Sequence, residues 1–218
     1  MSALAPIAAE QGGLVSAAQA VLAGVTRNQL SDLAAGGDLR HLRRGVYGVG
    51  PGDVDAELED IASAWLAIAG GSLPWGRDGE PEAVVSHASA ARLHWFGTTI
   101  ADPPELTQAR QRSRRTDMVI HPARLGADDW AWLQTRAGMH LPVTTPARTI
   151  VDLLDSVGVE GTALVVLAAS NEMVARSAAN LAWAKTILAH NLNLYDIFTH
   201  DHVVIAKDAL ELIEETFA

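Results

Sequence analysis

The sequence predicts an α+β protein: an N-terminal winged helix-turn-helix followed by a mixed α/β C-terminal domain ending in helices. Three observations carry this. Two helix-start signals, Ser16-Ala17-Ala18-Gln19 and Thr26-Arg27-Asn28-Gln29, stand close together. A basic, alternating run from Leu39 to Val49 follows them, with Arg44-Gly45 at its centre. Beyond a Pro51-Gly52-Asp53 break, apolar helical faces and short β-prone runs share the remainder of the chain.

In each start signal a hydroxyl can accept from the backbone N–H three residues on while the Gln reaches back to the cap. Ala18, Val21 and Leu22 form one apolar stripe and Leu30, Leu33 and Ala34 another. Only Ala23, Gly24 and Val25 separate the helices, a turn short enough to make them cross sharply. Val25 and Leu30 have the spacing of a hydrophobic staple. Gly36-Gly37 ends the second helix, and Arg44-Gly45 then suits a two-residue hairpin turn.

In such a layout the second helix enters the major groove of DNA. With Leu30, Leu33 and Ala34 inward, Asn28, Asp32 and Ala35 face outward, and Arg27, Gln29 and Ser31 flank them. Asn and Gln pair with adenine edges and Arg with guanine or phosphate. The expected DNA-binding set from this region is Thr26, Arg27, Asn28, Gln29, Ser31, Arg40, His41, Arg43, Arg44 and Tyr47. Asp32, near the centre of that face, repels phosphates. It favours the competing reading, a helical cap bordering another domain.

A boundary after the break divides the chain into residues 1–52, the DNA-binding domain, and 53–218, a C-terminal α+β partner domain. Residues 54–69 read as an amphipathic helix with Leu58, Ile61, Ala62, Trp65, Leu66 and Ala69 on one face. Residues 70–81 are loop-like, with Trp75 expected to pack on the core. Val84-Val85 suggests a short strand and Ser86 a cap for a helix running to Trp95. His87 and His94, seven positions apart, show no third ligand nearby in sequence, so no metal site is expected.

Residues 105–145 read as β-rich, with strands at 105–109, 118–121, 130–135 and 140–144. The loop Arg110-Gln111-Arg112-Ser113-Arg114-Arg115 is the densest basic cluster, and its four arginines join the expected DNA contacts. Thr145-Pro146 starts a helix to about Ser156, with Arg148 and Asp152 at i, i+4. Further helices are expected at 161–174, 177–190 and 205–217, with residues 191–200 ambiguous. His200-Asp201-His202 reads as a polar turn.

Composition bounds the function. Cys is absent, which rules out disulfides and thiolate metal sites and fits a reducing cytosol. No secretory signal or apolar run long enough for a membrane span is apparent. The net charge of −10 argues against a generic nucleic-acid binder. Its distribution matters more: residues 151–218 carry three basic and ten acidic side chains, whereas three arginines crowd into Arg40 to Arg44. No nucleotide-loop, metalloprotease or nucleophile-elbow pattern appears, and Lys occurs only at positions 185 and 207. The chain therefore reads as a binder and not an enzyme, with no catalytic residues and no cofactor, located in the cytoplasm.

Three blocks, in order along residues 13 to about 155, resemble the AbiEi-family antitoxins of type IV toxin–antitoxin systems. The first comprises Gly13-Leu14-Val15-Ser16, Gly24-Val25-Thr26-Arg27 and Leu42-Arg43-Arg44-Gly45-Val46-Tyr47. The second is Val85-Ser86-His87-Ala88-Ser89-Ala90-Ala91-Arg92-Leu93-His94, and the third Thr145-Pro146-Ala147-Arg148-Thr149-Ile150-Val151-Asp152-Leu153-Leu154. The resemblance implies a DNA-binding antitoxin that represses its own operon. Its partners would be operator DNA and a nucleotidyltransferase-like toxin. The competing expectation is a stand-alone transcription regulator with a ligand- or protein-binding C-terminal domain. Residues after about 157 match no motif.

Overall fold

The computed structural model describes residues 3–51, 55–69, 80–96, 102–109, 115–135, 138–170, 172–179 and 181–217. The first elements are α1 (Ala5–Glu10), β1 (Leu14–Ser16), α2 (Ala17–Leu22), α3 (Arg27–Ala35), β2 (Leu39–Arg43) and β3 (Val46–Val49). Both capping boxes form. Ser16 Oγ accepts from Gln19 N–H at 3.1 Å and Thr26 Oγ1 from Gln29 N–H at 3.3 Å, with each Gln side chain accepting from its cap N–H. β2 and β3 pair antiparallel around Arg44-Gly45, where Gly45 takes φ +79°. β1 adds to the far side of β3, giving the order β1-β3-β2. Leu4, Val15, Ala20, Leu30 and Leu39 make the core between these strands and helices, and Val25, the staple partner of Leu30, packs against it.

The central part contains α4 (Ala56–Ala69), β4 (Val84–Val85), α5 (His87–Leu93), β5 (Glu105–Gln108), β6 (Val119–Pro122), β7 (Trp130–Gln134), β8 (His140–Thr144) and α6 (Pro146–Ser156). Its five strands order as β6-β5-β4-β8-β7. The short β4 lies in the middle, antiparallel to β5 and parallel to β8. α4 buries the expected face: Ile61, Ala62, Trp65, Leu66 and Ala69 pack with Val85, Leu106, Leu141 and Val143. Trp65 Nε1 donates to the Ala83 carbonyl at 2.9 Å. Leu14 and Val46 enter the same cluster, so the N-terminal sheet is seated on this core.

The last part departs from the sequence reading. The segments 161–174 and 177–190, expected as helices, contain β9 (Ala163–Leu167) and β10 (Ala184–Leu188), with α7 (Glu172–Ala178) between them. The chain continues through a short 3-10 turn, α8 (Leu194–Phe198), β11 (His202–Ile205) and α9 (Lys207–Phe217). β10-β9-β11 form an all-parallel sheet. Alternate residues of β9 face opposite layers. Ala163, Val165 and Leu167 pack with Ile150, Leu154 and Val174, whereas Leu164 and Val166 pack with Ala189, Ala209 and Ile213. A strand covered on both faces is apolar at every position. Such a run is indistinguishable from a buried helix by periodicity alone.

Candidate functional site

The face expected to read DNA divides in two. On α3, Arg27, Asn28, Ser31 and Asp32 are exposed, as the wheel argument required. Thr26 and Gln29 are also exposed, but both are spent on the cap: Gln29 Oε1 lies 2.8 Å from Thr26 N and 3.0 Å from Thr26 Oγ1. Arg44 and His41 are exposed at the hairpin, while Tyr47 is half-buried with its ring edge-on to His41 at 5.4 Å.

The other two hairpin arginines are turned inward. Arg43 is buried and cannot track a nucleic-acid backbone. Its Nε donates to Ser63 Oγ at 2.9 Å, one terminal nitrogen to Asp60, and the other to the Asp117 carboxylate at 2.8 Å and the Asp117 carbonyl. Arg40 donates both terminal nitrogens to Glu59 and its Nε to the Gly50 carbonyl at 3.2 Å. That carboxylate raises the Arg40 pKa and fixes the guanidinium in place. These two residues join the N-terminal sheet to α4. Nothing in the local sequence marks them off from Arg44, because their acidic partners lie far along the chain. Arg115 is half-buried and donates to the Ala67 carbonyl at 3.0 Å. Arg110, Arg112 and Arg114 lie outside the described residues.

A second cluster was not foreseen. Ser86 occupies the cap position of α5 but makes no side-chain cap bond; its Oγ accepts from Thr107 Oγ1 at 2.8 Å and lies 3.0 Å from His87 Nδ1. His87 adopts φ +50°, a conformation costly for a residue with a Cβ. Its ring stacks on His121 at 3.5 Å, and His121 Nε2 lies 2.7 Å from Glu105 Oε2. Burial holds the His87 pKa below the ordinary imidazole value, and His121 adds to this while Asp152 and Glu105 oppose it. The sequence argument against a metal rested on His87 and His94 having no third ligand. His94 instead packs inward, with Nε2 2.7 Å from the Thr144 carbonyl, and the companions of His87 come from β5 and β6.

A third feature lies on α8. Leu194, Tyr195 and Phe198 are 71%, 76% and 83% exposed, whereas Asp196 between them is buried. Asn193 Oδ1 caps the helix by accepting from Asp196 N–H at 2.9 Å, and the Asp196 carboxylate takes bonds from Asn193 Nδ2 and Lys185 Nζ. Those bonds, led by Lys185, lower the Asp196 pKa. One side of this short helix is thus clamped to β10 while the other presents three large apolar side chains.

Comparison with known proteins identifies the class to which this fold belongs. Residues 128–216 match the model of the "Ribosomal protein L4/L1 family", and residues 2–50 match "Transcriptional regulator, AbiEi antitoxin". Large ribosomal subunit protein uL4 of Heliobacterium modesticaldum is 30% identical over 165 residues, covering 72% of this chain and 76% of the relative. The uL4 proteins of Natranaerobius thermophilus and Alkaliphilus metalliredigens are 29% and 27% identical, each over 68% of this chain and 71% and 72% of their own lengths. The chain belongs to the uL4 family of the large ribosomal subunit.

That membership corrects the functional expectation. A DNA-binding antitoxin or stand-alone transcription regulator, with operator DNA and a toxin as partners, is overturned by relatives that are ribosomal proteins across most of their length. The likeness to the AbiEi model is confined to the first 50 residues. The family is one of structural ribosomal components and not of enzymes. No helix among the described residues is long and apolar enough to cross a membrane.

Proposed function

We propose that this chain is a structural component of the large ribosomal subunit in the cytoplasm, seated through its C-terminal parallel sheet. The observation that carries the reading is the outer face of α8 within the segment that matches the L4/L1 model. Burying a large apolar side chain stabilises by about 1.5–3 kcal/mol. Three of them held outward on a clamped helix make a face suited to cover by a neighbour. The acidic balance of residues 151–218 disfavours bare phosphate as that neighbour and favours a basic protein surface.

Of the residues expected to touch nucleic acid, Arg27 and Arg44 are exposed cations, and we assign them ribosomal RNA phosphates. We keep a boundary near residue 52, with residues 53–218 holding two units, one on the five-stranded sheet and one on the parallel three-stranded sheet. The test is sedimentation of the tagged chain from its own cells through sucrose. It should travel with the large subunit and withstand a high-salt wash, because apolar burial is insensitive to screening. A double Tyr195→Ser, Phe198→Ser variant should move to the top of the gradient. A wild-type chain that stays at the top refutes the proposal.

A further inference from the structure

We propose that His87, Glu105 and His121 form a binding site for one divalent transition-metal ion, with Zn²⁺ the best fit. Nitrogen and oxygen ligand atoms of all three lie within 4.8 Å of one another. They come from adjacent segments: His87 from the first residue of α5, Glu105 from the start of β5 and His121 from β6, which pairs parallel with β5. A set of two imidazoles and one carboxylate matches zinc and its neighbours in the first transition series, and leaves room for a water. Magnesium and calcium, which take oxygen ligands, are excluded by the same donor set.

Three further observations point the same way. His87 Nδ1 is anchored on Ser86 Oγ, which is itself held by Thr107. With Nδ1–H donating to that oxygen, the Nε2 lone pair is left free. This is the outer-shell arrangement that orients a ligating imidazole. The left-handed backbone of His87 is one of two such non-glycine cases among the described residues, Trp95 being the other. Strain of that kind collects at ligand sites. Finally, Asp152 on α6 is 3% exposed, close enough for its charge to act on His87, and carries a buried Oδ2 with no hydrogen-bond partner. Its other oxygen accepts from Arg148 Nε at 2.7 Å. An unpaired buried carboxylate oxygen is unfavourable, and a cation beside it would offset that.

Binding requires a defined local change. The 2.7 Å hydrogen bond between His121 and Glu105 must open to about 3.3 Å, the ligand–ligand edge of a tetrahedron with zinc bonds of about 2.0–2.1 Å. The ion takes the place of the proton on His121 Nε2, which shifts to Nδ1 of the same ring, so that the imidazole binds as the neutral tautomer. The stacked rings, 13° from parallel, must also tilt, because ring lone pairs lie in the ring planes and parallel planes cannot converge on one ion.

The test uses the purified full chain, freed of ribosomes and stripped with chelator, so that its outcome is independent of the ribosomal reading. Titration calorimetry with zinc chloride should give one ion per chain with micromolar or tighter affinity, a raised melting temperature and no response to magnesium. His87→Ala and His121→Ala should each weaken binding by at least about tenfold, the lower end for loss of even an outer-shell partner. His190→Ala, on an exposed histidine elsewhere, should leave it unchanged. Glu105→Gln, which keeps shape and hydrogen bonding, covers the case in which a histidine variant fails to fold, and should also weaken binding. Absence of stoichiometric zinc binding, or binding indifferent to His87→Ala, His121→Ala and Glu105→Gln, overturns the site.

Discussion

Replacing Arg43 by Ala should destabilise the protein strongly, while replacing its neighbour Arg44 should not. Arg43 has a side chain 7% exposed and bonds Ser63, Asp60 and Asp117 together. Hydrogen bonds to charged groups contribute about 1.5–3 kcal/mol each. Removing one partner of a fully buried ion pair costs about 3–5 kcal/mol. Here the abandoned carboxylates of Asp60 and Asp117 are 46% and 43% exposed, so water re-solvates them and the penalty falls. Ser63 Oγ keeps its bond to the Asp60 carbonyl at 2.9 Å. The loss of the packed side-chain stem adds to the cost. The expected total is about 2–4 kcal/mol for Arg43→Ala, against less than about 0.5 kcal/mol for exposed Arg44→Ala. Urea unfolding followed by far-UV circular dichroism checks this. With a slope of about 2–3 kcal/mol/M, Arg43→Ala should unfold about 1 M earlier than wild type. Equal midpoints for the two variants would refute the assignment of Arg43 as the bolt between hairpin and α4.

Gly161→Ala should cost about 1–3 kcal/mol, because Gly161 has φ +94° and its added Cβ would lie 2.6 Å from the Asp201 carboxylate that holds Thr162; a melting temperature equal to wild type refutes it. Leu164→Ala, at a fully buried position of β9, should cost about 2–5 kcal/mol and lower the melting temperature; an unshifted transition would show that β9 is not central to its sheet. Burial holds the His94 pKa below 6.5, against the opposing bond to Thr144. The unfolded chain then gains its proton first as pH falls. The neutral ring's contribution is complete above about pH 6.5 and is lost as pH falls from there toward the folded value. His94→Gln should therefore flatten the dependence of the urea midpoint between about pH 7.5 and about pH 5.5. His87, lowered in the same direction, keeps part of that slope. Identical slopes in variant and wild type would remove His94 as a contributor.

Local signals were legible wherever a few neighbouring residues close a structure among themselves. The capping boxes at Ser16 and Thr26 and the Arg44-Gly45 turn form as their side chains require. The apolar face of α4 and the strand at His140–Thr144 also match their patterns. The helix expected at 161–174 failed for a physical reason. β9 is covered on both faces, so its residues carry no alternation to distinguish it from a buried helix. The functional expectation failed because it was drawn from blocks between residues 13 and about 155, while the family relationship also takes in the motif-free region after residue 157.

The chain alone settled the mixed α and β character, the two capped N-terminal helices, the basic hairpin and the acidic C-terminal third. All of these depend on composition or on residues within a turn of one another. Tertiary structure decided which arginines are free, that His87 meets His121 and Glu105, and that Ala163–Leu167, Ala184–Leu188 and His202–Ile205 form parallel strands. Each of those depends on partners distant in sequence, and a side chain's charge or ring becomes available only after packing has satisfied or spared it.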